Sequence, residues 1–211
     1  MYKTYIFDLD GTLLDTLSDL AAAVNYALRT HGMPEHSIDD VRRFVGNGVR
    51  KLMERAIPDG AANPQFDETF ATFRQYYMAH SLDTTRPYEG IPEALAALKA
   101  RGCRLAVVSN KMMAATQELC HHFFPDTIEV AIGENEAEGI RKKPAPDTVF
   151  AALKALGVGK EGAVYVGDSD VDIETARNSG LPCISVLWGF RDRDFLIQHG
   201  AKTFISDPGN L

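Results

Sequence analysis

The sequence predicts an α/β protein: a parallel sheet covered by helices on both faces and interrupted early by an all-helical insertion. Three observations carry this. A short apolar strand ending at Tyr5-Ile-Phe7 delivers two carboxylates, Asp8 and Asp10. From about Leu17 to Leu82 the apolar residues keep helical spacing, with no convincing strand. From Ile91 onward, apolar strands alternate with amphipathic helices, the pattern of a parallel sheet buried on both sides.

The elements follow in order. After the strand, Gly11 lets the chain turn sharply without a Cβ clash, and Thr12 offers a hydroxyl to a neighbouring carboxylate. Leu17, Leu20, Ala21, Val24, Ala27 and Leu28 mark a helix closed by Gly32 and Pro34. Ser37-Ile-Asp-Asp40 starts a second helix running to Phe44, Gly46-Asn47-Gly48 breaks it, and Val49–Ala56 forms a third. Phe66, Phe70, Phe73 and Tyr77 recur at three- and four-residue steps, the buried stripe of a fourth helix. In the second half, strands are expected at 105–108, 129–132, 163–166, 183–186 and 203–205. Helices are expected at 91–101, 112–123, 147–156, 172–179 and 193–199.

Composition narrows the function. The 211 residues are 45% hydrophobic and carry a formal net charge of −7, which speaks against nucleic acid or an anionic membrane as partner. No run approaches the ~18 apolar residues of a membrane span, and no basic-then-apolar leader opens the chain. Cys103, Cys120 and Cys183 are widely spaced, odd in number and lack a CxxC, so reduced thiols in a cytoplasmic protein are expected.

The chemistry gathers at strand ends. In extended backbone, residues two apart share a side, so Asp8 and Asp10 stand together where open α/β sheets bind ligands. Their repulsion calls for a hard cation such as Mg2+; capping of the next helix explains one Asp but not two. Ser109-Asn110-Lys111 follows the second strand, either as a helix N-cap at Ser109 or as an anion site. In Arg141-Lys142-Lys143-Pro144-Ala145-Pro146 the prolines stiffen a basic loop that is either solvated or holds a fixed ammonium. Gly167-Asp168-Ser169-Asp170-Val171-Asp172 places three acids after another strand, to cap a helix or to meet a cation. No EF-hand loop and no Walker phosphate loop occurs. His121-His122 reads as surface, because adjacent helical residues diverge. Trp188 and Phe190 follow a strand end and are expected to pack beneath the site or the cap hinge.

Taken together, these clusters resemble the haloacid-dehalogenase-like superfamily over nearly the whole chain. Asp8-Leu-Asp10-Gly11-Thr12 matches its DxDGT motif, Ser109 its second-motif hydroxyl, Lys143 its lysine before proline, and Gly167-Asp168 through Asp172 its GDxxxD. Asp10-Gly-Thr-Leu-Leu-Asp15, Phe44-Val-Gly-Asn-Gly48, Ser109-Asn-Lys111, Lys143-Pro-Ala-Pro-Asp147, Val166-Gly-Asp-Ser169 and Trp188-Gly189 look most like the phosphoglycolate phosphatases. The resemblance implies a Rossmann-like core, residues 1–15 and 84–211, with a helical cap at 16–83.

The resemblance also implies roles. Asp8 is the nucleophile, Asp10 the proton donor and acceptor, and Lys143 the charge stabiliser. Mg2+ lies on the Asp8 carboxylate, the Asp10 carbonyl and Asp168, with Thr12 and Asp172 in support. Ser109, the Asn110 N–H and Lys143 bind the phosphoryl group. The dehalogenases lack the second aspartate and need no metal, so Asp10 and Asp168 favour Mg2+-dependent hydrolysis of a small phosphate ester.

From the cap, Gly48 and Arg50 or Lys51 approach the leaving group, unless the two basic residues are only exposed helix charges. Open alternatives are sugar-phosphate, pyrophosphate or nucleotide hydrolysis, a β-phosphoglucomutase-like isomerase, a phosphonatase-like enzyme using Lys51, and a non-catalytic phosphometabolite sensor. Either a monomer or a homodimer is compatible with this reading.

Overall fold

The computed structural model describes residues 2–135 and 139–211. The chain forms two compact units, one of residues 1–14 with 87–211 and the other of residues 15–86. In the first, β1 (Thr4–Phe7), β4 (Arg104–Met112), β5 (Val130–Glu134), β6 (Ala163–Gly167), β7 (Cys183–Val186) and β8 (Phe204–Ile205) make one sheet in the order β5-β4-β1-β6-β7-β8. Every pair is parallel, with Phe7 opposite Val107 on one side and Val166 on the other. The chain builds leftward from β1 to β5 and then rightward from β6 to β8. The carboxyl ends of β1, β4 and β6 therefore flank the reversal, which is the ligand-binding place of such sheets.

Alternation along the strands divides the core in two. Tyr5, Phe7, Leu105, Val107, Val164 and Val166 bury one face with Ile91, Leu95 and Leu98 of α5 (Ile91–Ala100) and Leu119 of α6 (Met113–Phe123). Ile6, Ala106, Val108 and Tyr165 bury the other with Val149, Ala152, Leu153 and Leu156 of α7 (Asp147–Leu156) and Ala176 of α8 (Asp170–Ser179). The short α9 (Arg193–Gln198) precedes β8.

Several expected bounds move. β4 runs on to Met112 rather than ending at Val108, and α6 begins at Met113. Ser109 is therefore inside a strand and is not a helix N-cap. The continuation is possible because the register against β5 shifts between Val108 and Met112, and because the polar Ser109, Asn110 and Lys111 are buried with partners. β5 is displaced toward the C-terminus by a residue at its start, and α8 begins two residues early, at Asp170.

The second unit holds α1 (Leu17–Thr30), α2 (Ile38–Phe44), α3 (Val49–Ala56) and α4 (Phe66–His80). The short strands β2 (Leu14–Asp15) and β3 (Arg86–Pro87) pair with each other where the chain leaves the first unit and returns. Ser37 caps α2 reciprocally with Asp40. Phe66, Phe73 and Tyr77 are buried, with the Phe73 and Tyr77 rings stacked at 5.7 Å, so the aromatic stripe is core. No helix among the described residues is long and apolar enough to cross a membrane.

Within this unit, buried Asp19 of α1 joins the two ends of the segment. It accepts from the Thr84 N–H (3.0 Å) and hydroxyl (2.5 Å) and from the Thr85 N–H (2.9 Å) and hydroxyl (2.8 Å). Burial alone would raise its pKa, but these donors outweigh it and hold the carboxyl below the usual range. A depressed folded pKa gives stability that is present above the unfolded pKa and lost as pH falls through the folded one. Asp19→Ala should cost about 2–3 kcal/mol by denaturant titration at pH 7. That cost should shrink on acidification, and a pH-independent cost would refute the carboxylate's role.

Candidate active site

The site begins with backbone. The Asp8 N–H donates to the Val166 carbonyl (2.9 Å), so β1 keeps its pairing with β6 up to the first carboxylate. The chain then turns tightly, the Leu9 carbonyl accepting from Leu13 and Leu14 at 3.0 Å each. Gly11 turns there with φ +87°, and a Cβ on it would overlap the Asp168 carboxylate and the Phe190 ring. Gly189 is equally close, since a Cβ would overlap Asp168 and the Gly11 carbonyl. The Trp188 indole N–H donates to the Thr12 carbonyl (3.0 Å), joining the β7 end to this turn.

The predicted residues of the first unit converge. Lys143 Nζ is 2.7 Å from Asp8 Oδ1 and 2.9 Å from Asp172 Oδ1. The Asn110 side chain fixes the lysine's main chain, accepting from the Lys143 N–H (2.7 Å) and donating to its carbonyl (3.0 Å). Thr12 donates to Asp168 Oδ1 (3.3 Å), and the Phe190 N–H donates to Oδ2 (2.7 Å). Ser109 is buried, its hydroxyl accepting from the Lys111 N–H (3.1 Å).

Asp172 turns out to serve both readings of the acidic cluster. It forms the α8 capping box with Ser169. Its Oδ2 accepts from the Asp168 and Ser169 N–H groups and the Ser169 hydroxyl, while Oδ1 accepts from Lys143 and from the Tyr165 hydroxyl (2.9 Å). Donors thus surround both of its oxygens and fix the carboxyl in place.

Two groups were given no role of their own by the sequence reading. Buried Lys111 places Nζ 2.9 Å from Asp10 Oδ1. Buried Tyr165 accepts from Lys143 (3.2 Å) while donating to Asp172. Lys111 had a signal, a lysine two residues beyond a strand-end serine; Tyr165 looked like one more apolar strand residue.

The electrostatics are those of a site built for a cation. Burial, then the Asp172 charge, raises the Asp8 pKa well above the carboxylate range despite Lys143. The same two causes push Asp168 up to about 7. Burial alone would lower the Lys143 pKa, but Asp172 and Asp8 outweigh it and raise it. Asp8, Asp168 and Asp172 bring carboxylate oxygens within 4.8 Å of one another. An all-oxygen, net-negative buried set suits a hard divalent ion. The cluster contains Asp172, whereas the Asp10 side chain turns to Lys111.

In the helical unit, Gly48 opens α3 with φ +87°. Arg50 reaches Glu54 (3.5 Å) and Asp67 (4.0 Å) and lies over the Phe66 ring (4.9 Å). Lys51 pairs with Glu54 (2.8 Å), and Arg55 holds the preceding loop through the Phe44 carbonyl (2.6 Å) and Asn47 (2.7 Å). His121 and His122 are exposed, as expected of a surface pair.

The family model of the haloacid dehalogenase-like hydrolases matches residues 5–186. The chain belongs to the haloacid dehalogenase-like hydrolases. Among curated relatives of this family, the phosphoglycolate phosphatase of Aquifex aeolicus is 36% identical over 89% of this chain and 86% of its own. The N-acetylmuramic acid 6-phosphate phosphatase of Pseudomonas aeruginosa is 29% identical over 99% and 92%. A crystal structure of a candidate phosphoglycolate phosphatase from Lactobacillus delbrueckii superposes with TM-score 0.94 at 38% identity, covering 99% of this chain and 96% of that one. This member of the family is accordingly a phosphoric monoester hydrolase, a phosphatase acting on small phosphate esters.

Proposed function

We propose that the protein hydrolyses a small carboxylate-bearing phosphomonoester, 2-phosphoglycolate foremost, through an aspartyl-phosphate on Asp8. One observation carries the chemistry: a buried Asp8 faces Lys143 at 2.7 Å and shares a carboxylate cluster with Asp168 and Asp172. A carboxylate so placed can attack phosphorus while the lysine takes up charge on the transferring group. The Asp8 oxygen bonds to phosphorus as the ester P–O bond breaks, and Asp10 gives its proton to the departing oxygen. Asp10 then takes a proton from the water that attacks phosphorus, and the Asp8–phosphorus bond breaks. Ser109 and the Asn110 N–H bind phosphoryl oxygens. The Asp8 and Asp168 carboxylates and the Asp10 main-chain carbonyl are the proposed holders of Mg2+, which when bound supplies charge neutralisation at the phosphoryl group.

The substrate class rests on the relatives. Phosphoglycolate and N-acetylmuramic acid 6-phosphate differ in size, yet both are phosphomonoesters that carry a carboxylate. Gly48 and Arg50 are the proposed cap residues for reading that leaving group. The test is phosphate release with Mg2+ from 2-phosphoglycolate, N-acetylmuramic acid 6-phosphate, hexose phosphates, nucleotides and pyrophosphate. The two acidic esters should lead in kcat/KM. Arg50→Glu should raise KM for 2-phosphoglycolate about two- to fivefold, the scale of one exposed ion pair, and more than for a hexose phosphate. A preference for hexose phosphates or nucleotides would discard the substrate class and leave the Asp8 chemistry standing.

A further inference from the structure

The site contains two buried lysines, and the proposed chemistry has used only one. Lys143 serves Asp8 and Asp172. Lys111 serves Asp10, with Nζ 2.9 Å from Oδ1; the lysine side chain is 2% exposed and the aspartate side chain 15%. Burying an ammonium is costly, so a lysine held this way is positioned by its surroundings. Its backbone is gripped on several sides. The N–H donates to the Ser109 hydroxyl (3.1 Å), and the carbonyl accepts from Thr116 (3.4 Å). Gly133 of β5 packs so closely that a Cβ on it would lie 2.7 Å from the Lys111 carbonyl. The shifted register of β4 past Val108 is what carries Lys111 to this place.

We propose that Lys111 is a positioning residue for the proton-transferring group: by gripping Oδ1 it fixes the rotation of the Asp10 carboxyl and so aims the other oxygen at the leaving group and then at the attacking water. This rests on the reading of Asp10 as proton donor and acceptor. Lys111 itself exchanges no proton and forms no bond to substrate. In the first half-reaction the Asp10 proton passes to the ester oxygen as the Asp8–phosphorus bond forms. In the second, Asp10 recovers a proton from water as phosphate leaves Asp8.

Such a role is separable from mere support by the leaving group. An alkoxide needs a proton to depart, whereas 4-nitrophenolate leaves without one. The experiment compares 2-phosphoglycolate with 4-nitrophenyl phosphate in the Mg2+-loaded enzyme, by steady-state and stopped-flow kinetics. Lys111→Met should lower kcat for 2-phosphoglycolate about 10²-fold, at the low end of general acid–base effects, with KM within about threefold. Its first turnover of 4-nitrophenyl phosphate should stay within about threefold of the unmodified enzyme, followed by a slow steady state and hence a burst, because water activation still needs an aimed Asp10. Lys111→Arg should restore at least a tenth of the 2-phosphoglycolate rate, and Lys111→Gln, whose uncharged head ends one bond short of the Asp10 carboxyl, replaces Lys111→Met if that variant does not fold.

Equal losses on both first turnovers would overturn the proposal. So would weaker binding of 2-phosphoglycolate with kcat unchanged, which would make Lys111 a contact to the substrate carboxylate. A faster variant would overturn it too, by making the pair a restraint on Asp10. Asp10→Asn is run in parallel. If it keeps full 2-phosphoglycolate turnover, the reading of Asp10 fails at its root; if it shows the burst and Lys111→Met does not, only the positioning role fails.

Discussion

Asp8→Asn should eliminate turnover, lowering kcat on the order of 10⁴-fold or more, while leaving the fold as stable as before or more so. The two expectations share a cause. An amide neither attacks phosphorus nor carries a phosphoryl group, and removal of a nucleophile is among the largest single-residue losses known. The same carboxylate is an electrostatic burden in the metal-free protein, because burial and Asp172 raise its pKa. A group whose folded pKa is raised destabilises the fold increasingly as pH rises through that range. The asparagine removes that burden, and Lys143 still has Asp172 (2.9 Å) and Tyr165 (3.2 Å). Thermal melts at pH 7 should therefore show no loss and a gain of up to about 1 kcal/mol. The stabilisation that Mg2+ gives should be smaller than in the unmodified protein, since a charged ligand is gone. Activity above a tenth of normal in a purified Asp8→Asn sample would remove Asp8 as nucleophile. A large loss of stability would instead make Asp8 a structural partner of Lys143.

Local chemistry explains which parts of this site the sequence made legible. Asp8 and Asp10 stand out because an apolar run delivers two acids two residues apart, and Asp168 because an acidic cluster follows a Val-Gly strand end. Their meeting at one sheet reversal follows from parallel topology, which the alternation of elements already implies. The length of β4 was hidden for the opposite reason. Ser109, Asn110 and Lys111 are polar, and a polar run after Val108 looks like the exit from a strand. It continues because Asn110 and Lys111 find partners far away in sequence, at Lys143 and at Asp10, while the Ser109 hydroxyl accepts from the Lys111 N–H. Tyr165 fits an apolar strand by composition, and its hydroxyl matters only once Lys143 and Asp172 stand beside it. Asp19 likewise looks like a first-turn acid of α1, while its partners lie 65 and 66 residues away. Periodicity reports which face of an element is buried. It does not report which polar atoms meet across the fold.

Lys143→Met should be the converse of Asp8→Asn, losing both activity and stability. The lysine is the cation common to Asp8 and Asp172, and removing one partner of a buried charge group leaves the others uncompensated. That imbalance costs about 3–5 kcal/mol. The loss should be smallest in acid and should grow as pH rises, because the remaining carboxylates must ionise unpaired. The rise should be steep around neutrality, because burial and Asp172 already push the Asp168 carboxyl up to about 7 with Lys143 present. On catalysis, loss of a fixed charge facing the transferring group should lower kcat on the order of 10²–10³-fold. Added Mg2+ divides the two effects. A divalent ion on the crowded carboxylates replaces part of the missing charge, so the melting temperature of Lys143→Met should rise more with Mg2+ than that of the unmodified protein. Activity should not return, because the ammonium that faces the transferring group would still be missing. If Mg2+ restored both, Lys143 would serve only to keep the carboxylates apart. If stability were insensitive to the variant, Lys143 would not be the cation that offsets the buried Asp8 and Asp172 carboxylates.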